Sequence, residues 1–394
     1  MPIGVFVLAA AVFAQGTSEF MMSGLLARTA ADFGVSIGAV GLLTSVYAVG
    51  MVLGAPVMAV TAGRWPLQRS ATTFLALFCV AHVIGALTTD FAVLVATRAV
   101  AAVANAGFLA IVLAALPRLV GPALVGRASS IIVSGVTVAC IAGVPAGTLL
   151  GQLWGWRSAF WAVAVVSAVV LVPVAALVPR DGAGAGASDR STRSEWAVLG
   201  LRAVRTAVIV GVLVNAATFA AFTYLGTIAA AIGGTTTFWV PLVLALFGLG
   251  SFVGVTLTGR YSDRHGRSII TVGAAGLVGV WALAAMTAHT VAGLAVMTLL
   301  TGAAAFGVGS ALIATIVRTA APAAPRLAGA LATTALNIGA VLGPIVAGVA
   351  VDRAKTPVAA LWCAAGASAL AAAIVLSDRS RRGPVVDGVG TAAR

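Results

Sequence analysis

Long apolar stretches dominate the chain, and no period-two alternation organises them. Twelve stretches stand out, at 3–27, 37–62, 70–88, 91–115, 129–151, 158–178, 206–231, 238–259, 268–288, 291–317, 327–350 and 357–377. Each has about the 20 mostly apolar residues that a helix needs to cross a bilayer. They are too long and continuous for the short alternating strands of a membrane barrel. The pattern predicts an all-α membrane protein with 12 transmembrane helices. The first stretch lacks a Lys/Arg-rich start and stays apolar to Leu26, so it reads as a retained span and not a cleaved leader.

The longest polar interruption, 179–205, carries Gly182, Gly184, Gly186, Ser188, Ser191 and Ser194 and reads as a linker. It divides an N-terminal six-helix bundle (1–178) from a C-terminal one (206–377), and 378–394 reads as a disordered tail. A shift of 200 residues superposes Gly50 on Gly250, Gly54 on Gly254, Arg64 on Arg264, Gly107 on Gly307, Arg118 on Arg318, Pro122 on Pro322 and Gly143 on Gly343. Two equivalent halves predict two pseudo-symmetric six-helix bundles that rock about a site near the membrane midplane.

Composition sharpens this reading. Of 394 residues, 61% are hydrophobic and 8% charged, against about 25% charged in soluble domains. The net charge is +13, and 22 of the 23 basic residues are Arg. They are scattered singly, which argues against a nucleic-acid surface. With the N-terminus placed in the cytoplasm, 18 basic residues fall on the inner side, 4 on the outer side, and Arg98 within a span. That asymmetry predicts a cell-membrane protein with both termini cytoplasmic. Cys79, Cys140 and Cys363 are far apart and outside any ligand spacing, so neither a disulfide framework nor a metal is expected. Lys355-Thr356 lacks the glycines of a phosphate-binding loop, and no HExxH or GxSxG motif occurs. The chain is therefore not expected to be an enzyme or to hold a cofactor, and a proton gradient is the expected energy source.

The scarcity of charge makes its exceptions informative. Glu19 is the only carboxylate inside an expected span, and an ionisable residue there marks an ion or proton pathway by default. Gln15, Glu19 and Ser23 share one helix face by their i, i+4 spacing. Arg98 would cost roughly 2.5–3.5 kcal/mol against lipid and so should face the interior. Counting helical rises puts Glu19 about 12 Å and Arg98 about 10 Å below the outer ends of their helices, deep enough alike to pair. Gln15, Tyr47, Asn105, Asn215 and Asn337, with Phe108, Phe219, Phe222 and Phe247, would suit a neutral, partly aromatic ligand. His82 reads as a packing residue. Gly143, Pro145, Gly147 and Gly151 let a neighbouring helix approach closely, with a bend at the proline.

Gly259-Arg-Tyr-Ser-Asp263-Arg264-His-Gly266-Arg267, between the eighth and ninth spans, resembles the loop signature G-x-x-x-D-R-x-G-R of the major facilitator superfamily. The resemblance implies a conformational latch built on Asp263, Arg264, Gly266 and Arg267. The first-half copy departs from the signature, with Gly63, Pro66 and Leu67 where Asp, Gly and Arg stand in the second; Arg64 keeps the charge. Leu94-Val-Ala-Thr-Arg98 is similar to the family's fourth-helix arginine, which is associated with proton transfer. Gly143-Val-Pro145-Ala-Gly147 and Gly151 resemble the antiporter motif of its drug exporters, with Asn337 to Pro344 as the counterpart. Phe13 to Phe20, Ala104 to Ala110 and Leu213 to Phe219 look most like the chloramphenicol-resistance exporters of actinobacteria. The resemblance implies proton-coupled efflux of a small amphipathic drug by a monomer in the lipid bilayer, with Glu19 and Arg98 coupling the proton. An exporter of sugars or other metabolites is the alternative.

Overall fold

The computed structural model describes residues 1–62, 66–121, 124–178, 197–234, 238–324 and 327–380. The helices are α1 (Ile3–Phe20), α2 (Met22–Phe33), α3 (Ile37–Ala62), α4 (Leu67–Leu87), α5 (Phe91–Val120), α6 (Val125–Val138), α7 (Val144–Trp154), α8 (Arg157–Leu177), α9 (Arg202–Gly233), α10 (Trp239–Thr287), α11 (Val291–Ala320), α12 (Leu327–Ala354) and α13 (Ala359–Ser380). A π-helical turn, Ala139–Gly143, joins α6 to α7. Among the described residues these helices provide 12 candidate membrane spans. The even number puts both ends of the described chain on one side of the membrane, called here the terminal side.

Several boundaries differ from the sequence reading. The expected first span, 3–27, is two helices broken at Met21, and the second runs on to Phe33. There the Gly24 amide returns to the Met21 carbonyl, three residues back, at 3.1 Å. Gly34, at φ 64°, ends α2 in a conformation that favours glycine. The segment read as a linker to 205 gives way to a 3₁₀ turn at 197–200 and to α9 from Arg202; residues 179–196 lie outside the described residues. The helix α13 includes Asp378 to Ser380, which the sequence reading had placed in the tail, and Asp378 pairs with Arg202 at 3.3 Å. Residues 381–394 lie outside the described ones.

The expected loop at 259–267 is helical in backbone, so α10 carries the eighth and ninth spans together. The two spans still run antiparallel. Thr258 lies beside Gly307 and Gly273 beside Val308. In a straight helix, 15 residues would separate Thr258 and Gly273 by about 22 Å. The chain therefore reverses between them.

The repeat has a geometric cause. A Cβ on Gly50 would meet the Ala99 carbonyl oxygen at 2.9 Å, and one on Gly250 would strike the Leu299 carbonyl. Gly54 lies in the same way against Val103, and Gly254 against Ala303. Each pair is the other moved by 200 residues. The second span of each half packs on the same backbone positions of the fourth, and only glycine permits that approach. Asp90 and Thr290, also 200 apart, cap α5 and α11 through their side chains.

Apolar packing shows how the halves sit. On the terminal side the cores are separate among the described residues. One cluster joins Val5, Phe74, Leu116, Ala128 and Val174 of the first half; another joins Val204, Ile316, Ala320, Ala328 and Leu331 of the second. Toward the opposite side the cores cross. One cluster unites Met21, Leu25 and Tyr47 with Tyr224, Ala347 and Val351. A second unites Phe20, Cys140 and Val144 with Phe222, Phe247 and Trp281. Polar contacts close the same side. The Asp352 carboxylate accepts from the Ser36 hydroxyl at 2.7 Å and the Gly38 amide at 3.2 Å. Ser45 donates to the Val341 carbonyl at 2.8 Å. The halves are thus joined away from the termini and packed separately toward them. Lipid-facing residues complete the picture: Val169 and Val172 of α8 are 65% and 69% exposed.

Candidate functional site

The buried cluster around Arg98 is built from four helices. Arg98, on α5, is 1% exposed. Its two terminal nitrogens donate to the hydroxyl of Ser18 (2.7 Å) and to the Ser18 carbonyl (2.9 Å) on α1. Its guanidinium lies 4.3 Å above the centre of the Tyr47 ring on α3, an attraction strengthened where water is absent. Tyr47 in turn accepts from the Asn105 amide at 3.0 Å. The Ser18 hydroxyl also meets His82 Nε2 on α4 at 2.6 Å, and His82 Nδ1 meets the Phe78 carbonyl at 2.7 Å.

Glu19 does not pair with Arg98. Ion-pair distances among the described residues link Arg157 with Asp32 and Arg202 with Asp378. The charges of Glu19 and Arg98 nevertheless act on each other. Helical rise fixes depth alone; each residue also turns about 100° around the axis. That rotation puts Ser18 on Arg98 and leaves Glu19 beside it, partly buried, two residues before the break at Met21. Gln15 is fully buried, and neither amide atom has a hydrogen-bond partner among the described residues.

Next to Glu19, Phe20 starts an aromatic row that crosses between the halves. Its ring centre is 5.9 Å from Phe219 and 5.7 Å from Phe222. Phe222 lies 4.9 Å from Phe247, which lies 5.9 Å from Phe306. Sequence reasoning named Phe219, Phe222 and Phe247 but missed Phe20 and Phe306; Phe20 carried the signal of adjacency to the lone carboxylate. Phe108 is not part of the row. It is fully buried in the first-half cluster with Leu8, Phe74 and Val112, a packing position. Asn215 donates to the Leu336 carbonyl at 2.6 Å and so ties α9 to α12. Asn337 donates to Thr333 within its own helix at 3.0 Å.

The glycine motif of α7 packs along α1 and α2. Gly143 faces Thr17, Gly147 lies 3.8 Å from Met21 as a Cβ would measure it, and Gly151 faces Leu25. Both series advance by four, as two parallel helices in close contact must. Pro145 cannot donate to the carbonyl of Ile141, and the π-helical turn falls on that stretch. Its Cys140 carbonyl is approached by Gly248 of α10, so the irregular turn lies where the halves meet. Arg64 lies outside the described residues, as do the side chains of Asp263, Arg264 and Arg267 and the surroundings of Gly266. Among the described residues no group of three His, Cys, Asp or Glu is placed to hold a metal ion.

On the side away from the termini, Asp32 accepts from Trp156 Nε1 at 3.0 Å and pairs with Arg157. These bonds, the Trp156 one foremost, hold its carboxyl below the usual carboxylate range. Arg157 also donates to the Thr88 carbonyl at 2.9 Å, tying α2, α8 and the α4–α5 connection together.

The chain is 44% identical over 377 residues to a chloramphenicol resistance protein of Streptomyces lividans, covering 95% of each. It is 32% identical over 346 residues to the inner membrane transport protein YdhP of Escherichia coli, covering 88% of each. The nucleoside transporter NupG shares the fold with TM-score 0.77 at 12% identity, over 96% of this chain and 99% of that one. A bacterial homologue of the human lysosomal transporter Spinster, in an inward-facing and unoccupied conformation, aligns with TM-score 0.75 at 16% identity over 95% and 98%. The sequence profile of the Major Facilitator Superfamily matches residues 8–326 and 232–391. With its 12 spans in two equivalent halves, the chain belongs to the Major Facilitator Superfamily and is a multi-pass membrane transporter.

Proposed function

We propose that this transporter exports a small amphipathic drug, chloramphenicol first, in exchange for protons. The reading places it in the cell membrane with both termini in the cytoplasm. The observation that carries it is the position of Glu19, a carboxylate beside the break between α1 and α2, between the Arg98 cluster and the aromatic row. The name of the Streptomyces lividans relative supports the substrate. In this reading the drug enters from the terminal side, where the cores are separate, and its ring meets Phe219, Phe222 and Phe247. Gln15, Tyr47, Asn105, Asn215 and Asn337 supply polar contacts. A proton arriving from outside neutralises Glu19 and changes the field at Arg98; the drug leaves outward, and the side away from the termini recloses after release. The antiporter-motif residues Gly143, Pro145, Gly147 and Gly151 let α7 move against α1 and α2. Asp263, Arg264, Gly266 and Arg267, with Arg64, latch the inner ends.

The driving force is adequate. One charge moved through 100 mV yields about 2.3 kcal/mol. At about 1.4 kcal/mol per tenfold, that supports roughly a 40–50-fold gradient of a neutral solute. A susceptibility panel in cells with and without the protein tests the substrate. A raised inhibitory concentration for chloramphenicol is the expected result. A raised value for other compounds alone, with the protein present in the membrane, would refute the assignment.

A further inference from the structure

His82 carries more order than a packing residue requires. It is 1% exposed on α4, with the Phe78 ring centre at 4.2 Å and that of Phe160 at 5.7 Å. A carbonyl can only accept, so the proton of the neutral ring sits on Nδ1, facing Phe78 at 2.7 Å. Nε2 then offers a lone pair, and the Ser18 hydroxyl, 2.6 Å away, donates to it. Ser18 has one hydroxyl proton. Once that proton is committed to His82, the oxygen can only accept on its other side. It does so from Arg98, whose guanidinium has donors only. The bonds from Arg98 Nη1 through the Ser18 hydroxyl to His82 Nε2, and from His82 Nδ1 to the Phe78 carbonyl, are each matched donor to acceptor.

We infer that His82 is a positioning residue for Arg98: by fixing the Ser18 hydroxyl proton it presents the oxygen lone pair that docks the guanidinium on α1. A ring protonated on both nitrogens would donate to the Ser18 oxygen and release its hydroxyl proton from His82, so that proton would no longer be held away from Arg98. An apolar residue at 82 would leave the hydroxyl free to turn. Arg98 would keep the Ser18 carbonyl and lose the fixed partner beside it. The transport arm of the test rests on the proposed proton-coupled export; the chain of bonds does not.

The test uses the full-length protein in proteoliposomes, with chloramphenicol as probe. His82→Gln keeps an acceptor near the Nε2 position and His82→Leu removes it. His82→Leu should lower the maximal rate of pH-gradient-driven transport about tenfold or more, with chloramphenicol Kd changed less than about twofold. His82→Gln should recover most of the rate. Ser18→Ala removes the same hydroxyl while leaving the ring packed, and should match His82→Leu; it serves if the leucine variant fails to fold. Wild-type rates in His82→Leu or in Ser18→Ala, or equal losses in His82→Leu and His82→Gln, would overturn the inference. If the wild type shows no pH-driven transport, the proposed function fails instead. The ring itself then decides: nitrogen NMR of histidine-labelled protein, with His265 and His289 replaced, should show His82 neutral and protonated on Nδ1. A proton on Nε2 would overturn the inference independently of transport.

Discussion

Asp352 joins the two halves at one point whose strength can be worked out. It sits near the end of α12, and its carboxylate lies on the start of α3. Ser36 caps that helix, accepting from the Ala39 amide at 3.0 Å and donating to Asp352 at 2.7 Å; the Gly38 amide adds a second bond at 3.2 Å. Hydrogen bonds to a charged group contribute about 1.5–3 kcal/mol when shielded, and a carboxylate at a helix start adds about 0.3–1 kcal/mol. Asp352 is only partly buried and Ser36 is exposed, so water and salt reduce the total to about 1–2 kcal/mol. Asp352→Ala should therefore shift the balance about 5–30-fold toward opening on the side away from the termini. Spin labels at Thr89 and His289, exposed and 200 residues apart on that side, would report it in a background without Cys79, Cys140 and Cys363. The long-distance population should grow in Asp352→Ala and grow less in Asp352→Asn, which retains an acceptor. An unchanged distance distribution in the alanine variant would refute the reasoning.

Gly226 meets the Ser23 carbonyl and, at 3.1 Å as a Cβ would measure it, the Gly24 backbone. Gly226→Val should wedge the same side apart and lengthen the same label distance; an unaltered distance would contradict that close packing. The lowered carboxyl of Asp32 has a defined pH signature. A depressed folded value contributes stability that is full above the ordinary value of about 3.9 and is lost as pH falls through the folded one. Asp32→Asn should cost at most about 1 kcal/mol at neutral pH, given its exposure. Thermal unfolding of the two proteins should converge at strongly acidic pH, and a gap that persists there would contradict the assignment.

What was legible in the sequence and what was not follows from geometry. The spans were legible because a bilayer demands about 20 apolar residues whatever packs around them. The repeat was legible where contact forbids a side chain, as at Gly50 and Gly250. The break at Met21 was not, because neither glycine nor proline marks it and a three-back hydrogen bond carries the irregularity. The Glu19–Arg98 pairing was misjudged by one residue, since spacing reports depth and leaves the angle about the axis to packing. Phe108 shows the same limit: it counts among the aromatics expected around a ligand, yet its ring fills the first-half core. His82 was read as packing because a lone histidine in an apolar helix carries no mark of its partner, and Ser18 is 64 residues away.

The central claim is that Glu19 carries the coupling proton. The direct measurement is pH-gradient-driven chloramphenicol transport by Glu19→Gln in proteoliposomes, beside its binding of the same drug. The account predicts that gradient-driven transport is abolished while the protein remains folded and binds chloramphenicol. Transport at the wild-type rate in that variant, still accelerated by the gradient, would remove Glu19 from the mechanism.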